Sequence, residues 1–237
     1  MPATREIVMA TKKTVKKSAR KTVDSSTNGN GDGAALVVAS PNLCGAVFHI
    51  YGTSPYVQNK FSGTKKDLML KAQQATKGTS RKAKAPRDID EDYEGAMHKT
   101  ADGKYGIPAP AFRSALISAC RVAGLVMTKA KLSIFCEQDD IDEEDGTPLV
   151  YLQGGEPERT TMHVRLESGV ASIAVRPMWR EWEADVKLKW DADQFSKQDV
   201  ANLLERAGQQ VGVGEGRHDS KKSNGMGWGC FSLVPKD

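Results

Sequence analysis

The chain holds 237 residues, 39% of them hydrophobic and 27% charged, the balance of an ordinary soluble protein with one well-filled core or at most two small ones. No apolar run approaches the ~18–20 residues that a bilayer span requires, and no apolar stretch follows the basic N-terminal residues as it would in a secretory signal. A cytoplasmic protein is therefore expected, with its net charge of +4 distributed unevenly.

Residues 1–38 carry seven Lys or Arg against three acids and run into SSTNGNGDG, so they read as a disordered basic arm. Residues 39–237 read as a single domain. Its first strand is Gly45 to Tyr51, alternating Ala46, Phe48 and Ile50 with Val47, His49 and Tyr51. The segment 58–104 has no sustained apolar period and is too long for a plain connection, so it reads as an insertion or a mobile functional loop. Its stretch 60–87 holds nine basic residues against Asp67 alone, among them Lys65, Lys66, Arg81, Lys82 and Lys84. Such a run suits a polyanion; it also suits a solvated loop facing the acids at 88–94.

The clearest helix follows Pro110, with Phe112, Ala115, Leu116, Ala119, Cys120 and Ala123 on one stripe and Gly124 as a left-handed cap. Lys131 to Cys136 reads as a second strand. A second insertion, 137–165, opens on an acidic run whose spacing does not fit a calcium-binding loop. Val170 to Val175 reads as a strand. Glu181 to Trp190 is a clearer one, its Trp182, Ala184, Val186, Leu188 and Trp190 alternating strictly with charged residues. Ser196 and Asp199 then stand at capping-box spacing, Val200, Leu203, Leu204 and Ala207 form a buried stripe, and Gly208 is the expected cap. Trp228 to Val234 closes the chain as a last strand. Strand, helix, strand, one or two further strands, helix, strand is the split βαβ layout of an α+β, ferredoxin-like (RRM-like) sheet with two helices on one face.

The four cysteines (Cys44, Cys120, Cys136 and Cys230) form no CxxC pair, so buried thiols in a reducing compartment are expected, with no metal and no cofactor implied. Chemistry concentrates between the second helix and the last strand. Gly212, Gly214 and Gly216 lie there beside Arg217, His218, Lys221 and Lys222. Glycines bring backbone amides close to a ligand, and an amide nest with nearby cations binds phosphate. A hairpin loop needing glycines for its turns explains the same residues, and local chemistry leaves both readings open. Neither a Walker A loop nor a dinucleotide-binding turn is present. His218 is the candidate general base of a metal-independent endoribonuclease, but no partner for it is visible in the sequence. Trp179, beside Arg176 and Arg180, is a candidate for stacking on a base.

The run Ile107-Pro108-Ala109-Pro110-Ala111-Phe112-Arg113-Ser114-Ala115-Leu116, together with a glycine-rich loop before the final strand, resembles the hallmarks of the RAMP superfamily. These are the ferredoxin-like RNA-binding backbone subunits and crRNA-processing nucleases of CRISPR systems. The likeness spans roughly 45–52 and 105–234, and departs from the family where Ala109-Pro110 replaces the usual small Gly-Ser pair. The overall pattern also resembles phage-encoded proteins, which would act in a host cytoplasm. The resemblance implies binding of RNA or single-stranded DNA, with Arg113 and Arg217 at the matched positions. It further implies copies of the chain assembling as an oligomer or filament along a strand. Non-catalytic binding is the leading expectation; His218-dependent cleavage and a protein–protein assembly factor are the alternatives.

Overall fold

The computed structural model describes residues 39–61, 63–74, 88–165, 171–219 and 225–235. The basic arm 1–38 lies wholly outside them, as do Arg81, Lys82, Lys84, Lys221 and Lys222 and the side chain of Lys65.

Leu43–Gly52 forms β1, followed by Tyr56–Val57 (β2), Gly63–Gln74 (α1), Ile89–Glu94 (α2) and Gly106–Pro108 (β3). Ala109–Val122 is α3 and Met127–Ser133 is α4; then come Ile134–Cys136 (β4), Asp140–Ile141 (β5), Pro148–Tyr151 (β6), Glu158–Arg165 (β7) and Ala171–Trp179 (β8). Glu183–Asp191 is β9 and Lys197–Arg206 is α5, which runs into a π-helical turn at Ala207–Val211 before Phe231–Ser232 (β10). The fold is mixed α+β, and Ser40–Asp237 forms one compact unit. Among the described residues no helix is long and apolar enough to cross a membrane.

The main sheet has the order β10-β1-β9-β4, with every neighbouring pair antiparallel. Strict alternation builds it: β9 buries Ala184, Val186, Leu188 and Trp190 and leaves Glu183, Asp185, Lys187 and Lys189 half-covered. The buried residues of β9 join Phe48 and Ile50 of β1, the α3 stripe and the α5 stripe in one core. A stripe of small and large residues lets α3 lie close, with Ala115, Ala119, Phe112 and Leu116 all buried. Burial of such side chains is worth about 1.5–3 kcal/mol for each large apolar residue. Ser196 caps α5 through both halves of a capping box with Asp199.

Several expected elements shift. MTKAKLS is helical as α4, so the expected strand from Lys131 shrinks to Ile134–Cys136. Ala123 is exposed because α3 ends at Val122, and Gly124 takes the left-handed turn beyond it (φ 71°). Gly208 does not end the second helix: it lies within the π-helical turn, where a Cβ would overlap the Phe231 carbonyl, and Gly212 (φ 77°) terminates the turn. The last strand is Phe231–Ser232 alone. Neither insertion is a plain loop: 58–104 contributes α1 and α2, and 137–165 contributes strands to two further sheets, β2-β8-β7 and β3-β6-β5. Only two of the four thiols are buried, since Cys44 is exposed and Cys136 half-exposed, and all four are free.

Candidate functional site

The N-terminal half of α3 meets the glycine-rich turn across a cleft of about 240 Å³ lined by Pro110, Ala111, Ser114, Ser118, Gly212, Gly214, Arg217 and Asp219, among others. Spacing on α3 places Pro110, Ala111, Ser114, Ala115 and Ser118 along one helical face, small residues that leave room. The residue before the helix is Pro108, which provides no side-chain cap. The first-turn amide of Ala111 is thus one of the donors that an α-helix cannot satisfy internally, and the helix dipole adds partial positive charge there.

The opposite wall is held by backbone bonds. Gly212 N donates to Ala207 O, Val213 N to Gly229 O (2.9 Å) and Glu215 N to Val57 O (2.9 Å). Those amides are engaged with the body of the protein, so the expected open nest of the glycine run is largely closed. Arg217 Nη1 donates to Gly214 O at 2.8 Å, fixing the guanidinium beside the cleft while other donors of its fork remain. Arg176 and Glu215 pair at 2.6 Å behind the turn. Gly214 is glycine for two reasons: its φ is 80°, and a Cβ would stand 2.5 Å from Val57 O. Gly214→Ala is expected to lower unfolding free energy by about 1–3 kcal/mol, measured by urea denaturation, since a strained left-handed residue alone costs that much.

The structure brings Gly212, Gly214 and Arg217 together on this cleft; Gly216, at φ 79°, packs instead against the Trp228 ring. Arg113 is not in the cleft. It donates to the Ile134 and Lys131 carbonyls and lies over the Phe135 ring, tying α3 to α4 and β4. Lys66 pairs with Asp145 at 2.9 Å. His218 lies beside Gly227, and among the described residues no side chain hydrogen-bonds to it. Trp179 is buried against Tyr56 and Tyr105, with its Nε1 donating to Gly155 O, so it offers no stacking face.

A second cluster escaped the sequence. Asp142, buried in the acidic run, accepts from Lys60 Nζ at 2.6 Å and from the Glu144 and Asp145 amides on one oxygen, and meets His98 Nδ1 at 2.8 Å on the other. Gln58 accepts from His98 N and donates to Gly106 O and Tyr56 Oη, extending the network. Burial alone would raise the Asp142 carboxyl, but the bonds from Lys60, His98 and the two amides outweigh it and hold it below its ordinary range. Burial pushes His98 below its ordinary value, against the pull of Asp142. His98, Asp142 and Asp145 could offer three metal ligands within 4.8 Å. The Lys60 and Lys66 ammonium groups already sit on those two carboxylates and supply the positive charge a cation would bring. The cluster is a clamp holding the 58–60 and 96–100 segments on the acidic loop.

On the helix-free face of the main sheet, His49 lies between Asp185 (2.7 Å) and Glu183 (3.1 Å), edge-on to Tyr51. The hydrogen bond to Asp185 raises its pKa most, and Glu183 adds to it against the opposing effect of burial. A raised folded pKa means this contribution to stability is full below the unfolded value near 6.5 and is lost as pH rises through the folded value. His49→Gln is expected to remove that part of the decline, visible as a flatter urea midpoint across the neutral pH range.

No protein-family model matches the chain, and no curated protein does either.

Proposed function

We propose that the chain is a ferredoxin-like, RAMP-related protein that holds RNA or single-stranded DNA without cleaving it, by gripping a phosphate in the cleft between α3 and the glycine-rich turn. The four-stranded antiparallel order, with α3 between β1 and β4 and α5 between β9 and β10, supports the fold assignment. The observation that carries the binding reading is the convergence of an uncapped helix start, the Ser114 and Ser118 hydroxyls and the Arg217 guanidinium on one small opening. Each of those groups donates hydrogen bonds to phosphate oxygens, and together they favour an anion the size of a phosphodiester. Copies lying side by side along a strand would follow from such backbone-directed contacts.

Two of the nine cations in the basic insertion are already engaged. Lys60 is buried on Asp142 and Glu144, and Lys66 is paired with Asp145, so neither is available to a polyanion without breaking an ion pair. Fluorescence anisotropy with labelled single-stranded RNA and DNA across a salt series tests the proposal. Affinity that falls log-linearly with salt, with little dependence on base sequence, is the expected result. Absence of binding at low salt would overturn it, as would binding that salt leaves unchanged.

A further inference from the structure

Among the described residues the outer edge of β1 is open from Leu43 to His49. Gly52 N donates to Trp182 O at one end of the β1–β9 ladder and Ala192 N donates to Asn42 O at the other. With the register Leu43↔Asp191 through Tyr51↔Glu183, these bonds direct the even-numbered residues of β1 toward β9. The odd-numbered residues therefore turn their N–H and C=O groups to the other side. There β10 meets only Tyr51 and Gly52. Among the described residues nothing hydrogen-bonds to the backbone of Leu43, Gly45, Val47 or His49 on that side.

Protected edges carry lysine, proline or a bulge. The stretch Leu43 to His49, LCGAVFH, carries none, and it exposes Leu43 (44%) and Val47 (59%) along with Cys44 and Gly45. A row of unpaired backbone groups flanked by exposed apolar side chains is a template for a further strand.

We propose that the occupant is a second copy of this chain, paired antiparallel through β1 about a two-fold axis at Ala46. This register matches both ends of the free stretch. Pro41, which has no N–H, bounds it on one side, and β10 on Tyr51 bounds it on the other. Leu43 then faces the partner's His49, and Gly45 faces the partner's Val47, each pair exchanging both backbone bonds. Side chains alternate large against small: Val47 lies over the partner's Gly45, Phe48 beside the partner's Cys44, and Ala46 meets its own copy at the closely spaced, non-bonded position. No Asp, Glu, Lys or Arg lies in the stretch, and its one ionisable residue, His49, faces the partner's Leu43 away from the axis at Ala46. An isologous contact of this kind closes as a dimer and joins two four-stranded sheets into one. Such a dimer forms whether or not the chain binds nucleic acid.

The test is sedimentation equilibrium of the full chain, purified after nuclease digestion and kept in high salt so that nucleic acid cannot bridge copies. The expected mass is twice that of the chain. Val47→Lys, at an exposed position, is expected to return it to the single-chain mass while the chain still unfolds in one cooperative thermal transition. Hydrogen exchange supplies the second readout: the amides of Gly45, Val47 and His49 are slow in the wild type and fast in the variant. A single-chain mass at every concentration overturns the proposal. A dimer that survives Val47→Lys also overturns it, because another face then holds the copies. Slow edge amides in a monomer do so as well, since the chain itself would then cover the edge.

Discussion

Replacing Asp142 with alanine lowers the unfolding free energy by about 3 kcal/mol, the low end of the cost of breaking a buried ion pair, and urea denaturation measures it. The loss has several parts. Lys60, 5% exposed, keeps only the half-exposed Glu144 as an anionic partner. His98 Nδ1 loses its acceptor, and the Glu144 and Asp145 amides lose the oxygen that organises their turn. The surviving Glu144 contact keeps the cost from reaching the upper end of the range. Lys60→Met combined with Asp142→Asn is expected to cost less than Asp142→Ala, because it removes both charges while leaving a side-chain amide for His98 and the turn. If Asp142→Ala unfolds at the wild-type urea midpoint, the cluster is not a clamp.

The same cluster sets a sign for acid sensitivity. Asp142 has a depressed folded pKa, so its contribution is present above the ordinary carboxylate range and is lost as pH falls through the folded value. His98 is held neutral by burial, so the unfolded chain binds its proton first, and stability falls as pH drops below about 6.5. Both effects have acid destabilising the fold, opposite in direction to His49. Asp142→Asn flattens the acid limb while leaving the His49 limb in place, a separation that urea midpoints at successive pH values resolve.

What could be read from the chain in advance was whatever repeats at short range. The alternation of β9, the α3 stripe and the Ser196–Asp199 box each declare themselves within a dozen residues. The clamp does not, because Lys60 and Asp142 are 82 residues apart and His98 and Asp142 are 44 apart. Each lies in a polar stretch where a solvated charge is the ordinary expectation. A lysine among nine cations carries no local mark of burial. The acidic run offered one usable sign: Asp142 stands two and three residues before Glu144 and Asp145, the reach at which an aspartate folds back on its own backbone amides. The short strands β5 and β6 were hidden for another reason, since two to four residues cannot establish a period. The glycine-rich turn was legible as a turn, but not the destination of its amides. Those depend on β2 and on Pro55, Val57 and Gly229, which periodicity does not place.

With the Gly212, Val213 and Glu215 amides bonded to the body, the proposed phosphate contact in the cleft falls to Arg217 and the start of α3. Ser114→Asp places a negative charge on the cleft wall at a position with no hydrogen bond to lose among the described residues. It is expected to weaken single-strand binding about tenfold or more, equivalent to at least ~1.4 kcal/mol. Arg217→Gln removes the charge but keeps an amide donor for Gly214 O, so it is expected to reduce the magnitude of the salt slope by about one, as loss of a single phosphate contact does. Asp219 lines the same cleft and opposes an anion, so Asp219→Asn shifts affinity the other way. This opposition separates a phosphate site from a fold effect: one cleft variant strengthens binding, two weaken it, and thermal unfolding stays the same in all three. If Ser114→Asp and Asp219→Asn both bind like wild type, the strand lies elsewhere on the molecule.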